Sequence, residues 1–344
     1  MNGPLDRILV IQTAFIGDVI LTLPLMQVLK KKYPAAGIDI VAVPRAAEIF
    51  ANHPAVSRII VYDKRGSEKG IGGFLRIRRQ LLEKPYDLVL VPHRSLRSAL
   101  LARSVRATLR IGFDRSAGRW LFDRVVRYDA AAHEIDRNLS LLAPLDATVP
   151  NGELPRLYPS EADRCVVDDA IIAMGLPPEP NLIAVAPGSI WNTKRWPADR
   201  YAALCRLVSK DYNAVVLIGG KDDTALCRDI RAAAGAGNIV NTAGMFSLLQ
   251  SAEIIRRCRA IVTNDSAPLH LAVAVGTPVA AIFGATVPGF GFGPRGERDV
   301  VIETNGLKCR PCAIHGGEKC PIGTFECMKS ITPERVVEAV KNIQ

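Results

Sequence analysis

Three short stretches carry residue types that could do chemistry. The first is NDSAPLH at 264–270, which sets a carboxylate, a hydroxyl and an imidazole within seven positions. The apolar run at 260–265 reads as a strand, and SAPLHLAVAVG at 266–276 reads as a helix. Ser266 suits its cap, Pro268 its first turn and Gly276 its stop. TPVAAIFG, ending at Gly284, reads as a second apolar strand, so the stretch is a βαβ unit. Ligands of open α/β sheets sit at such a strand-to-helix turn, and a helix N-terminus presents unclaimed amides that suit phosphate. Asp265 could hold a hydroxyl, the amides of Ser266 and Ala267 a phosphate, and His270 a second polar group. On the plain structural reading, Asp265 and Ser266 only cap the helix.

The second stretch follows the apolar strand at 181–189. Ser189, Thr193, Lys194 and Arg195 lie within a few residues, flanked by Trp191 and Trp196. A lysine ammonium is a compact charge suited to a diphosphate. The third is the turn at 14–18, closed by Asp18, after the buried-type strand at 7–13. Asp18 reads either as a helix cap or as a carboxylate able to take a proton from a substrate hydroxyl. This turn has one glycine and is not G-x-G-x-x-G, so the dinucleotide fingerprint is missing. A weaker signal is GGKDD at 219–223, where Asp222 or Asp223 could hold a ribose diol or cap a helix.

The elements that must position these groups alternate strand and helix. Strands read at 38–44, 58–64 and 87–93 in the first half, and at 214–220 and 260–265 among others in the second. The turn at 14–18 leads into one helix running to residue 33, and the segment from 110 to 129 reads as a loop-rich edge. Residues 147–160 hold three prolines without periodicity and read as a linker. The expected organisation is a first α/β domain over 1–155, a second over 156–330, and a C-terminal helix over 331–344 packing back on the body. The cleft between two such halves is the default ligand site.

The chain has 344 residues, is 49% apolar and carries a formal charge of +10, which suits an anionic partner. Basic helical segments at 74–84 and 94–106 could face an anionic acceptor or an acidic membrane, and Arg94 and Arg97 follow a strand end directly. Nucleic acid is disfavoured, because no known binding module is visible and aromatics are only 6%. No signal-peptide pattern and no apolar run of ~20 residues is present, so a cytoplasmic protein, peripheral on a membrane, is expected. Four of the eight cysteines, Cys309, Cys312, Cys320 and Cys327, cluster with His315. Their types fit structural zinc, but the spacing is not that of a common finger; reduced thiols or a local disulfide packing a Gly/Pro-rich loop are the alternatives.

With these pieces placed, the chain resembles the lipopolysaccharide heptosyltransferases, glycosyltransferase family nine. The resemblance rests on IQTAFIGDVILTLP, PGSIWNTKRWP, NDSAPLHLAVAVGTPVAAIFG and CRPCAIHGGEKCPIGTFECM, and spans nearly the whole length. It implies a GT-B fold of two Rossmann-like domains with parallel sheets facing across a cleft, and metal-free, inverting transfer from ADP-heptose to a lipid-anchored inner core. No cofactor is then required. Asp18 matches the family's proposed general base, and Lys194 the lysine on the donor diphosphate. Asp265, Ser266, Ala267 and His270 match the donor turn, and Ser189 its companion loop. Asp-Ser-Ala replaces the Asp-Thr-Gly often seen in enzymes adding the first heptose, and the cysteine-rich tail looks more like those adding the second. A relative using another nucleotide sugar or acceptor, a non-catalytic two-domain sugar-nucleotide-binding protein, and an epimerase of the same fold are the competing readings.

Overall fold

The computed structural model describes residues 4–146, 150, 152–177 and 179–344. The chain divides into two compact units, one ending at Tyr158 and the other starting at Pro159. The linker reading at 147–160 falls partly outside the described residues. Its later part is tied down, since Gln27 donates to the Leu154 carbonyl at 2.9 Å and accepts the Arg156 amide at 3.0 Å.

The N-terminal unit is built on β1 (Arg7–Ile11), β2 (Gly37–Ala42), β3 (Arg58–Val61), β4 (Tyr86–Val91), β5 (Ala107–Phe113) and β6 (Arg124–Val126). All pairs are parallel, in the order β3-β2-β1-β4-β5-β6. The C-terminal unit repeats this with β7 (Leu182–Ala186), β8 (Ala214–Leu217), β9 (Ile239–Asn241), β10 (Cys258–Asn264), β11 (Val279–Phe283) and β12 (Val300–Glu303). Its order is β12-β11-β10-β7-β8-β9, the same topology read from the other edge. Each unit is a doubly wound, Rossmann-like layer. The winding reverses between β1 and β4 in the first and between β7 and β10 in the second. At such a reversal two consecutive loops diverge, and the gap they leave at the strands' C-terminal ends takes ligands.

The apolar runs become strands because both faces of these sheets are covered. β7 and β11 are buried at every position, as expected when helices pack on both sides of a parallel sheet. The helix Pro333–Asn342 starts at the Thr332 cap and buries Val336 and Val340 in the same core cluster as Trp196, Tyr201 and Leu204.

Three sequence expectations change. The single helix expected from the first turn to residue 33 is two, Ile16–Ile20 and Leu23–Lys32. Pro24 has no N–H to return to the Ile20 carbonyl, so the ladder breaks there. The loop-rich edge at 110–129 instead contains the end of β5 and all of β6. β6 has only three residues and two of them are exposed, so it carries no burial pattern to read. The edge strand β12, in which Ile302 alone of four residues is buried, was not read from the sequence at all.

Candidate functional site

In the C-terminal unit, the strand ends at the reversal hold a buried ion pair. Lys194 lies in the single turn Asn192–Lys194 after β7, and Asp265 directly follows β10. Lys194 Nζ is 2.7 Å from Asp265 Oδ2, with the side chains 14% and 8% exposed. The Thr286 hydroxyl donates to the same oxygen at 2.7 Å. A carboxylate, itself held by a threonine hydroxyl, thus fixes one ammonium at the mouth of the sheet.

Asn264 fixes the two loops against each other. Its amide donates to the Pro187 carbonyl at 2.8 Å, and its Oδ1 accepts the Trp196 amide at 3.0 Å and the Tyr201 hydroxyl at 2.9 Å. Every one of these groups is buried, so each depends on the others for its hydrogen bond. Arg195 donates to the Ser189 carbonyl at 2.7 Å and shapes the loop between them.

The helix Ala267–Val275 opens beside this pair and stops at Gly276, whose φ is +78°. Ser266 occupies the N-cap position but does not cap with its side chain. Its hydroxyl turns back toward the Asn264 carbonyl at 3.4 Å. The first-turn amides therefore have no side-chain acceptor of the kind a capping serine supplies, and the positive end of the helix meets the same space as Lys194. His270 is buried within the first turn. Asp222 is exposed in the turn Lys221–Asp223 and is not brought into contact with this group. Asp223 instead accepts the Gly220 amide at 3.0 Å and fills the space beside Gly188.

A cysteine-rich strap braces the lysine from behind. The Gly317 amide donates to the Thr193 hydroxyl at 2.8 Å, and the Thr193 amide donates to the Gly317 carbonyl at 3.0 Å. Arg310 ties the strap to the end of β11 through the carbonyls of Gly284 and Thr286, at 2.5 and 2.8 Å. The eight thiols are free. Among the described residues no group of three or more His, Cys, Asp or Glu side chains is disposed to hold a metal ion. Cys320 is drawn below the usual thiol range by backbone N–H donors, first that of Phe325, whereas burial pushes Cys327 up to about 11.

Gly316 sits at φ +81°, and a Cβ there would stand 2.9 Å from Lys194 Cγ. Gly316→Ala is expected to displace the lysine and lower kcat/KM by about 10- to 100-fold. Gly323→Ala, at φ +75° with open space around it, carries the same backbone strain without touching Lys194 and should leave kcat/KM near wild type. Steady-state kinetics on the two variants, with melting curves, separates displacement from instability.

In the N-terminal unit the equivalent reversal gathers Asp18 and a set of cations. Asp18 lies in the first turn of the helix Ile16–Ile20 after β1, with Phe15 and not Asp18 at its cap. The Thr22 hydroxyl donates to the Asp18 carbonyl at 2.8 Å, and Gln12 donates to that hydroxyl at 2.8 Å. Lys64, beyond β3, donates to Thr13 at 2.9 Å, and His93, beyond β4, lies 3.0 Å from the same hydroxyl. Arg97 donates to the Lys64 carbonyl at 3.1 Å, and Arg94 stacks on Tyr128, 4.2 Å from its ring centroid. Burial and then the charges of Arg65 and Arg97 push Lys64 down to about 8. Burial, Lys64 and Arg94 push His93 down to about 3, so it is neutral near pH 7. The structure thus places Arg94 and Arg97 in one electropositive field and adds Lys64, which sequence reasoning missed. Lys64 stands inside a polar stretch, and only the sheet order puts its strand end near that of β1.

Glu134 was also missed. It is buried at the start of the helix Glu134–Ser140, 3.1 Å from Arg137. Burial pushes its carboxyl up to about 7; Arg137 opposes this, and the nearby Asp18 charge adds to it. The folded value exceeds the ordinary 4.5, so the native state holds an extra proton between these values. Stability should therefore fall as pH rises from about 4.5 to 7, and Glu134→Gln should remove that slope. Urea unfolding of both proteins across this window would show it, and parallel curves would refute it.

The comparisons place these observations among known proteins. Residues 74–319 match glycosyltransferase family 9 (heptosyltransferase). The chain is 29% identical to lipooligosaccharide heptosyltransferase 2 of Haemophilus ducreyi, over 98% of this chain and 99% of that one. It is 32% identical to lipopolysaccharide heptosyltransferase 1 of Pseudomonas aeruginosa, over 89% and 86%. Among solved structures, the ADP-heptose lipopolysaccharide heptosyltransferase II of E. coli superposes with a TM-score of 0.81 at 28% identity, covering 98% of each chain.

Proposed function

Because the chain belongs to glycosyltransferase family 9, the heptosyltransferases, and is therefore a glycosyltransferase of GT-B fold, we propose that it moves a heptose from ADP-heptose to the inner core of lipopolysaccharide. The observation that carries this reading is the buried Lys194–Asp265 pair at the open end of the helix Ala267–Val275. A fixed ammonium and a row of helix amides suit the charge that grows on a departing diphosphate.

The reaction is metal-free and inverting. Asp18 accepts the proton of an acceptor hydroxyl as that oxygen bonds to the anomeric carbon, and the bond from that carbon to the diphosphate oxygen breaks on the opposite face. ADP leaves with the electron pair, its charge met by Lys194 and the amides of Ser266 and Ala267. Ser189 and Thr193 shape the donor loop, Asp265 and His270 order its polar groups, and Asp222 lies near enough in sequence to the β8 turn to meet the ribose. Lys64, Arg94 and Arg97 hold the anionic acceptor. The acceptor is lipid-anchored, so the enzyme works at the inner face of the cytoplasmic membrane as a peripheral protein. Among the described residues no helix is long and apolar enough to cross a membrane.

Similarity at full length to enzymes named heptosyltransferase 2 supports addition of the second heptose. The test is incubation with ADP-heptose and lipid A–Kdo acceptors carrying no heptose or one, followed by ADP release and product mass. A gain of one heptose on the singly substituted acceptor is expected. Gain on the unsubstituted acceptor alone would reassign the step, and no gain on either would refute the reading.

A further inference from the structure

The formal charge of +10 is not spread evenly. Residues 1–158 hold 24 Lys and Arg against 15 Asp and Glu, whereas the rest of the chain holds 20 against 19. Within the first unit, residues 64–127 carry 16 basic against 5 acidic side chains. This excess is far more than the acceptor-facing cations require.

Large apolar side chains are exposed in the same segment. The helix Ile71–Leu81 turns Ile77 and Leu81 into the core and leaves Ile71 and Leu75, one turn apart, facing out. The helix Leu96–Ser104 likewise buries Leu101 and Ala102 and exposes Leu96 and Leu100. Both helices pack on one side of the sheet, because their inner residues share one core cluster with β1 and β4. Trp120 stands beside them in the turn Arg119–Leu121, which packs so close to the second helix that a Cβ on Gly118 would lie 2.6 Å from Ala99. Ile71 is 79% exposed and Trp120 71%. Leaving such groups in water costs roughly 25 cal/mol per Å², and a set of them on one face marks a surface that meets something.

The arginines frame that face. Arg79 continues the exposed side of the first helix and Arg103 that of the second. At the C-terminal ends of both helices, Arg78, Arg103, Arg106 and Arg110 line a cavity of about 690 Å³. Arg110 faces Asp123 at 3.1 Å, but Arg78 and Arg106 donate to the uncharged carbonyls of Ser104 and Leu82, at 3.2 and 2.7 Å. Arg76 is paired with Glu68, so the charge left without a carboxylate at this end is that of Arg78 and Arg106. Exposed aliphatics with a tryptophan, bordered by arginines and an arginine-lined niche of headgroup size, are what an anionic bilayer surface recognises.

We propose that the outer face of the helices Ile71–Leu81 and Leu96–Ser104, with the turn Arg119–Leu121, docks the protein on an anionic phospholipid bilayer. Leu75, Leu100 and Trp120 enter the headgroup boundary, and Arg79 and Arg103 meet the phosphates. This rests on the reading that the acceptor is lipid-anchored, and names the surface that meets the lipid.

The test is co-sedimentation with phosphatidylcholine vesicles with and without about 30% phosphatidylglycerol. The full-length protein should bind the anionic vesicles and be released by high salt. Leu75→Glu/Trp120→Glu and Arg79→Glu/Arg103→Glu should each lower partitioning by about 100-fold or more, with unchanged melting curves. Turnover of ADP-heptose on a deacylated, water-soluble acceptor should be unaffected in both variants. If neither wild type nor variant transfers heptose, the proposed reaction fails while the vesicle result is still read on its own. Equal binding to neutral and anionic vesicles, or variants that bind as wild type does, would overturn the docking face. So would a solution dimer dispersed by the same substitutions, which would make the face a contact between copies.

Discussion

Lys194→Ala is expected to lower kcat for heptosyl transfer by about 10²- to 10³-fold, the loss typical of removing one donor to developing charge. KM for the nucleotide sugar should rise as well, because the diphosphate already carries charge before the bond breaks. The substitution also removes the ammonium that faces the buried Asp265 carboxylate at 2.7 Å. A buried charge without its counter-ion is destabilising, so a lower melting temperature should accompany the kinetic loss. Lys194→Arg keeps the charge but not the geometry: a planar fork cannot occupy the place of a compact ammonium 2.7 Å from one carboxylate oxygen. It should restore the melting temperature more than the turnover. If Lys194→Ala transfers heptose at a near-normal rate, the diphosphate is held elsewhere.

Asp18→Asn should be the other large effect, lowering kcat by about 10²- to 10⁴-fold, as for loss of a positioned general base. Asn is nearly isosteric, and the backbone carbonyl that anchors Thr22 is retained, so the fold should persist. Donor affinity, set by groups in the C-terminal unit, should not change. Single-turnover transfer together with equilibrium binding of ADP-heptose measures both quantities. Weakened donor binding with intact chemistry would move Asp18 out of the base role. The pH profile adds a readout that a structural role would not move: the acidic limb of kcat should disappear in Asp18→Asn.

The two predictions concern residues that the sequence alone singles out. The sequence by itself determined the alternation of strand and helix, because buried parallel strands are continuous apolar runs and need no partner to be recognised. β7 and β11 stand where their runs ended. It also determined the turn chemistry at Gly276, which stops its helix at a φ of +78° as its residue type requires. Asp18, Lys194 and Asp265 drew notice because each follows an apolar strand within a few residues, and the C-terminal end of a strand is where an α/β sheet takes its ligands.

Only the tertiary structure decided what those residues touch. Lys194 and Asp265 are 71 positions apart, and their contact follows from β10 pairing with β7. No spacing rule reports that pairing. Ser266 looked like a cap by type, but its hydroxyl turns toward the Asn264 carbonyl once the strand end is fixed. Asn264 itself, in the middle of a recognised motif, showed nothing of its hydrogen bonds to Pro187, Trp196 and Tyr201. Glu134 drew no notice in the sequence, and burial, with the nearby Asp18 charge adding to it, gives it an unusual proton affinity. The division has one physical cause. Local propensity and hydrophobic periodicity are properties of neighbours along the chain, whereas ion pairing, desolvation and the crowding of Gly316 on Lys194 are properties of neighbours in space, set by the order in which the strands lie.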